Sequence, residues 1–105
     1  MVLVLPEKLV RDRIPEIIRS NGHEPVVRLA SDDELDILIR EKIVEEAREL
    51  LASGSLEEAA DILEAVMSLL NHRSVSWTEL EKLRLLKKRE HGGFEKGFVL
   101  LMTEP

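Results

Sequence analysis

Apolar side chains recur every three or four residues over four stretches of the chain, the spacing of helices that bury one face. It predicts helices from Asp12 to Ser20 with Pro15 in the first turn, from Asp32 to Ala52, from Ser55 to His72 and from Ser76 to Glu90. Their ends are marked chemically. Ser55-Leu-Glu-Glu58 and Ser76-Trp-Thr-Glu79 match the S-x-x-E capping box, in which serine and glutamate side chains each satisfy a backbone N–H of the first turn. Asn21-Gly22 and Gly54 suit left-handed caps, and Gly92-Gly93 ends the last helix. Three further runs, Met1 to Leu5, Pro25 to Leu29 and Phe94 to Met102, are short, apolar or β-branched and bounded by Pro, Gly or charge, and they predict short strands. The best-marked element is a helical hairpin turning at Ser53-Gly54.

The expected fold is therefore mainly α, an antiparallel helical core with a third long helix and a minor sheet from the chain ends. At 105 residues, 44% of them hydrophobic, the chain suits one domain spanning 1–105. Three helices leave apolar surface on Val75, Leu85 and the outer edge of the hairpin, so a homodimer completing a bundle is expected. With no cysteine there is neither a disulfide framework nor a thiolate zinc site. The apolar start is cut off by Pro6-Glu7-Lys8, too early for a signal segment or a membrane span, which leads to the expectation of a soluble cytoplasmic protein. Twenty-one acidic residues against fifteen basic ones give a formal charge of -6, which argues against binding a nucleic-acid polymer. An acidic chain that handles a polyphosphate needs metal ions as intermediaries.

The two central helices carry the chemistry. The first holds Glu46 and Glu49, the second Glu58 and Asp61, each pair three residues apart and so on one face. The apolar arc of the first helix centres on Ile43, Ala47 and Leu50 with Leu35 and Ile39 on a flank that includes Glu46, while Glu41, Glu45 and Arg48 point to the opposite, solvated side. The turn sets the register. Glu49 precedes Gly54 by five residues and Glu58 follows it by four; Glu46 and Asp61 are eight and seven away. In an antiparallel hairpin the four carboxylates stand level. Packed helices have axes about 8–10 Å apart, a gap that facing carboxylates can bridge through hard cations. Mg²⁺ or Mn²⁺ would relieve the repulsion and keep ligand positions for water and phosphate.

A bland reading fits each acid alone. Glu58 could be the partner of Ser55 in its capping box, and Glu46 and Glu49 could be rim charges paired with Lys42 or Arg48. Two cations invite comparison. Lys87 projects from the apolar side of the last helix, between Leu80 and Leu83, either snorkelling or reaching for a phosphate; Arg11, before the Pro15 turn, is a second candidate phosphate contact. His72 suits a dipole contact at a helix C-terminus, and His23 and His91 have no zinc-like spacing with acids.

Glu45-Glu46-x-x-Glu49 followed by Glu58-x-x-Asp61 resembles the EExxE and ExxD signature of the all-α nucleotide pyrophosphohydrolases, the MazG-like and phosphoribosyl-ATP pyrophosphohydrolase-like superfamily. Lys8-Leu-Val-Arg-Asp12-Arg-Ile-Pro15 at the start and Gly92-Gly-Phe-Glu-Lys96 near the end look like a small single-domain branch of it. The resemblance implies a magnesium site at Glu46, Glu49, Glu58 and Asp61, and Lys42 and Lys87 match positions where related sequences carry lysine. Two features depart from the pattern: the short spacing between Glu49 and Glu58, and His91 where Arg is expected. The implied activity is hydrolysis of a nucleoside triphosphate between its α and β phosphates, Glu46 or Glu49 orienting or deprotonating the attacking water and Lys87 and Arg11 neutralising pyrophosphate. Phosphoribosyl-ATP is the alternative substrate. A helical interaction module with a solvated acidic rim is the alternative of another class. Nothing in the sequence reads as a motif for one base or sugar.

Overall fold

A computed structural model describes residues 6–105. Four helices follow in order, α1 (Ile14–Ser20), α2 (Asp32–Ser53), α3 (Leu56–His72) and α4 (Trp77–His91). The predicted helices lie close to these bounds, because the stop and start chemistry is local. Pro15 stands in the first turn of α1, where its missing N–H has no intrahelical partner to lose. Ser31 caps α2 by accepting the Glu34 N–H. Ser76 and Glu79 form the full capping box of α4.

The chain divides into two compact units, Met1–Ser74 and Val75–Pro105. In the first, α2 and α3 pack against each other as the predicted hairpin. Gly54 makes the turn possible: at φ 64° it closes α2 with its N–H on the Leu50 carbonyl, a left-handed geometry that a Cβ would strain. A forked contact secures the open end of the hairpin, where Arg73, just past α3, holds both oxygens of Asp36 on α2 at 2.7 and 2.9 Å, and Arg40 adds a third bond at 2.8 Å. Arg28 likewise ties the loop before α2 to Glu7 and Glu34.

Burial shows which face of each helix meets the other. Among the described residues only Ile39, Ala65 and Glu46 are buried, at 3%, 8% and 6% exposure. Ala47, expected at the middle of the apolar arc of α2, is exposed. The seam runs instead through Leu35, Ile39, Glu46 and Leu50, because α3 packs one step around the helix from where hydrophobicity alone centres the arc.

The strands expected over Pro25 to Leu29 and Phe94 to Met102 do not form: the described residues contain no strand and no sheet. An apolar run becomes a strand only when another backbone lies about 4.8 Å away to pair its N–H and C=O groups. None does here, and Val26, Leu29, Phe98 and Leu101 are exposed. The run Met1 to Leu5 lies outside the described residues. No described helix is long and apolar enough to cross a membrane.

Candidate metal centre

The register predicted for the hairpin brings carboxylates together. One oxygen each from Glu46, Glu58 and Asp61 lie within 4.8 Å of one another, and so do oxygens of Glu45, Glu46 and Glu49. Glu46 belongs to both sets because it sits in the seam itself, whereas Glu58 and Asp61 are half-buried on α3 and Glu49 is exposed at the edge of α2. Glu58 is not the capping partner of Ser55. The Ser55 hydroxyl accepts the Glu57 N–H instead, which leaves the Glu58 carboxylate free to face Glu49 and Glu46.

Three cations reach the cluster. Lys42 lies 3.2 Å from Glu46 Oε1 and 3.2 Å from Glu45 Oε2, so the pairing foreseen between Glu46 and Lys42 is present. Lys8 donates to the other oxygen of Glu45 at 3.1 Å, and Arg11 donates from Nη2 to Asp61 Oδ1 at 2.6 Å. The segment before α1 thus bonds to both helices of the hairpin. Beside the Lys8 contact a hollow of about 100 Å³ is lined by Leu9, Leu38 and Lys42, too small for a nucleotide. Lys87 belongs to the second unit and has no ion-pair partner among the described residues.

Fully ionised, five carboxylates against three cations leave two negative charges, the complement of one divalent ion. The strain of that imbalance is visible at two groups. Glu46 Oε2 is buried with no hydrogen-bond partner, a position that ordinarily costs about 1–3 kcal/mol. Burial first, and then the neighbouring charges of Glu49 and Glu46, push the Glu58 carboxyl up to about 7. Lys42 behaves oppositely: burial lowers its pKa, but the hydrogen bonds and charges of Glu45 and Glu46 outweigh that and raise it, so it stays charged. Glu45 is held below the usual carboxylate range, since Lys8 and Lys42 more than offset its partial burial.

An orphaned buried oxygen among carboxylates fits a hard divalent cation, whose ligands are carboxylate oxygens and water. Glu46, Glu58 and Asp61 are the carboxylates of the two facing helices that could hold it together, and of the four expected ligands Glu49 groups instead with Glu45 and Glu46 along α2. Glu45 is the member that helical phase assigns to solvent. The signal for it was in the sequence, Lys42 three residues earlier, whose reach draws Glu45 round toward the seam.

The chain matches no family model and no solved structure. It is similar to an uncharacterized protein of Mycolicibacterium smegmatis, with 46% identity over 54 residues, 51% of this chain and 55% of that protein. The chain thus spans about half the length of the curated relative it matches.

Proposed function

We propose that this chain is a Mg²⁺-dependent nucleotide pyrophosphohydrolase of the cytoplasm, with Mn²⁺ able to substitute, which splits a nucleoside triphosphate into monophosphate and pyrophosphate. The observation that carries the reading is Glu46 Oε2, a buried, unpartnered acceptor where two sets of carboxylates meet. The formal charge of -6 favours a small nucleotide over a nucleic-acid polymer. When bound, the ion supplies positive charge to the phosphates and acidifies water.

The chain's own side chains supply the rest of the reaction. Glu46 or Glu49 accepts the proton of the attacking water as its oxygen bonds to phosphorus; the α–β P–O bond breaks and its electron pair leaves with pyrophosphate. Arg11, held at 2.6 Å from Asp61, neutralises the departing group. Lys42 acts as a positioning residue, because its bonds to Glu45 and Glu46 fix the carboxylates.

The reading includes a homodimer. Ile37, Val44 and Leu51 recur every seven residues on the face of α2 away from the seam, all exposed, and Leu56 and Leu63 repeat the interval on α3. A second copy covering that stripe would take it out of water, and Val44→Lys should then convert a dimer to a monomer in sedimentation.

Pyrophosphate release from a panel of nucleoside triphosphates, with Mg²⁺, Mn²⁺ or EDTA and beside Asp61→Ala, tests the activity. Metal-dependent release that the variant loses is expected. Release confined to phosphoribosyl-ATP would change the substrate, and no release from any of them, with no effect of Mg²⁺ on melting, would return the acidic face to an interaction module.

A further inference from the structure

The two units differ in charge. Residues 1–74 carry nine basic side chains against sixteen acidic, whereas residues 75–105 carry six against five. Within the second unit the cations are gathered. Arg84, Lys87, Lys88 and His91 stand at i, i+3, i+4 and i+7 of α4 and share one of its faces. Basic residues in a last turn ordinarily balance the helix dipole, which explains their sign but not their lying on one side. Arg84 pairs with Glu81, and His91 comes no closer to Glu90 than 3.9 Å. Lys87 and Lys88 have no ion-pair partner among the described residues, so their charge is available to a ligand.

These four side chains and the turn that follows α4 line an open hollow of about 640 Å³, within the range of small-molecule sites, about 300–1,000 Å³. Phe94 stands on its wall and is 97% exposed. A phenyl ring beside unpaired lysines offers a flat apolar face next to a positive field, the pairing of features that takes up a planar ring carrying phosphates. Glu95 is the one acid on the wall. Its carboxylate lies against Gly93, and a Cβ there would have to displace the flexible end of that side chain.

We infer that this concavity binds a mononucleotide, its phosphates at Lys87 and Lys88 and its base stacked on Phe94. The inference goes beyond the proposed hydrolase and concerns the second unit by itself: Phe94 is the base contact and Lys87 and Lys88 are the phosphate contacts. Every base presents a π-face, so a site that reads its ligand by stacking tolerates several bases.

The test keeps metal out of the reaction. The full chain is titrated calorimetrically in EDTA at low ionic strength with ATP, inorganic triphosphate and adenosine. ATP binds, Phe94→Ala weakens ATP by about tenfold without changing triphosphate, and the Lys87→Ala/Lys88→Ala double variant weakens both. Phe94 is exposed, so its variant should melt with the wild type. Unchanged ATP affinity in Phe94→Ala, equal losses for ATP and triphosphate in that variant, or no ATP binding in EDTA would each overturn the site. An oligonucleotide that binds more tightly than ATP would reassign it to a polymer. Asp61→Ala separates this inference from the hydrolase: it should keep metal-free ATP binding while losing pyrophosphate release, and the double lysine variant should keep the Mg²⁺-dependent rise in melting temperature.

Discussion

Glu46→Gln sets the stability of the hairpin against its affinity for a cation. In the metal-free wild type Glu46 Oε2 is buried without a partner, and Oε1 takes a bond from Lys42 at 3.2 Å. Glutamine has the same shape. Its carbonyl can accept from Lys42, and its NH₂ places donors where the orphaned oxygen lay, on a residue that groups with the carboxylates of Glu58 and Asp61. Satisfying that group recovers about 1–3 kcal/mol. Against it stands the lost attraction between Lys42 and a full charge in a buried pair, which is offset because Lys42 keeps Glu45 at 3.2 Å and one of several mutually repelling carboxylates is gone. The net gain is about 1 kcal/mol, a rise in Tm of about 4–8 °C for a small domain. Mg²⁺ reverses the order. At a hundredfold excess over Kd it stabilises the wild type by about 2.7 kcal/mol, whereas the neutral amide forfeits most of that increment. Thermal melts by circular dichroism in EDTA and in saturating Mg²⁺ should therefore cross, the variant higher without metal and lower with it. A variant that melts below the wild type in EDTA and gains as much from Mg²⁺ would refute both the orphaned oxygen and the ligand assignment.

Glu58 should give the metal-free protein a stability that falls as pH rises. Below its ordinary value of 4.5 the carboxyl is protonated folded or unfolded; between there and about 7 the unfolded chain ionises while the folded one resists, so stability declines until pH passes 7. Urea midpoints in EDTA read this, and a slope that persists in Glu58→Gln would contradict it. Asp36 has the opposite sign. The Arg73 hydrogen bond, aided by Arg40 and opposed by partial burial, holds its carboxyl well below the usual range, so its contribution is full above the unfolded carboxylate pKa and is lost as pH falls beneath it. Asp36→Asn should lower Tm at neutral pH and converge with the wild type in acid; equal curves throughout would show that the fork adds nothing. Arg11→Ala removes a half-exposed pair worth about 0.2–1 kcal/mol, and because Arg11 competes for Asp61 it should tighten Mg²⁺ binding in calorimetry while raising KM. Weaker Mg²⁺ binding would mean that Arg11 orients Asp61 for the ion. Gly54→Ala should cost about 1–2 kcal/mol by forcing a side chain into the left-handed region, and an unchanged urea midpoint would show that the turn relaxes.

The sequence by itself determined what depends on near neighbours. Helix bounds, the Gly54 turn and the capping box at Ser76 and Glu79 follow from interactions within four residues, and the register that brings Glu46 to Glu58 and Asp61 follows from counting outward from that turn. What it left open depends on which surface meets which. Only packing against α3 put Glu46 in the seam and Ala47 in solvent, because several helical phases bury similar amounts of apolar surface. Glu58 faced two possible partners, the N-terminus of its own helix and the opposing carboxylates, and the Ser55 hydroxyl took the Glu57 N–H for the cap. The apolar runs after Pro25 and after Phe94 have strand composition without a strand, since pairing needs a second backbone that no local pattern can supply. Contacts across 37 and 50 residues, Lys8 on Glu45 and Arg11 on Asp61, exist only because the tertiary structure brings the segment before α1 to the carboxylate face; charge told the sign of those residues, and folding alone decided their partners.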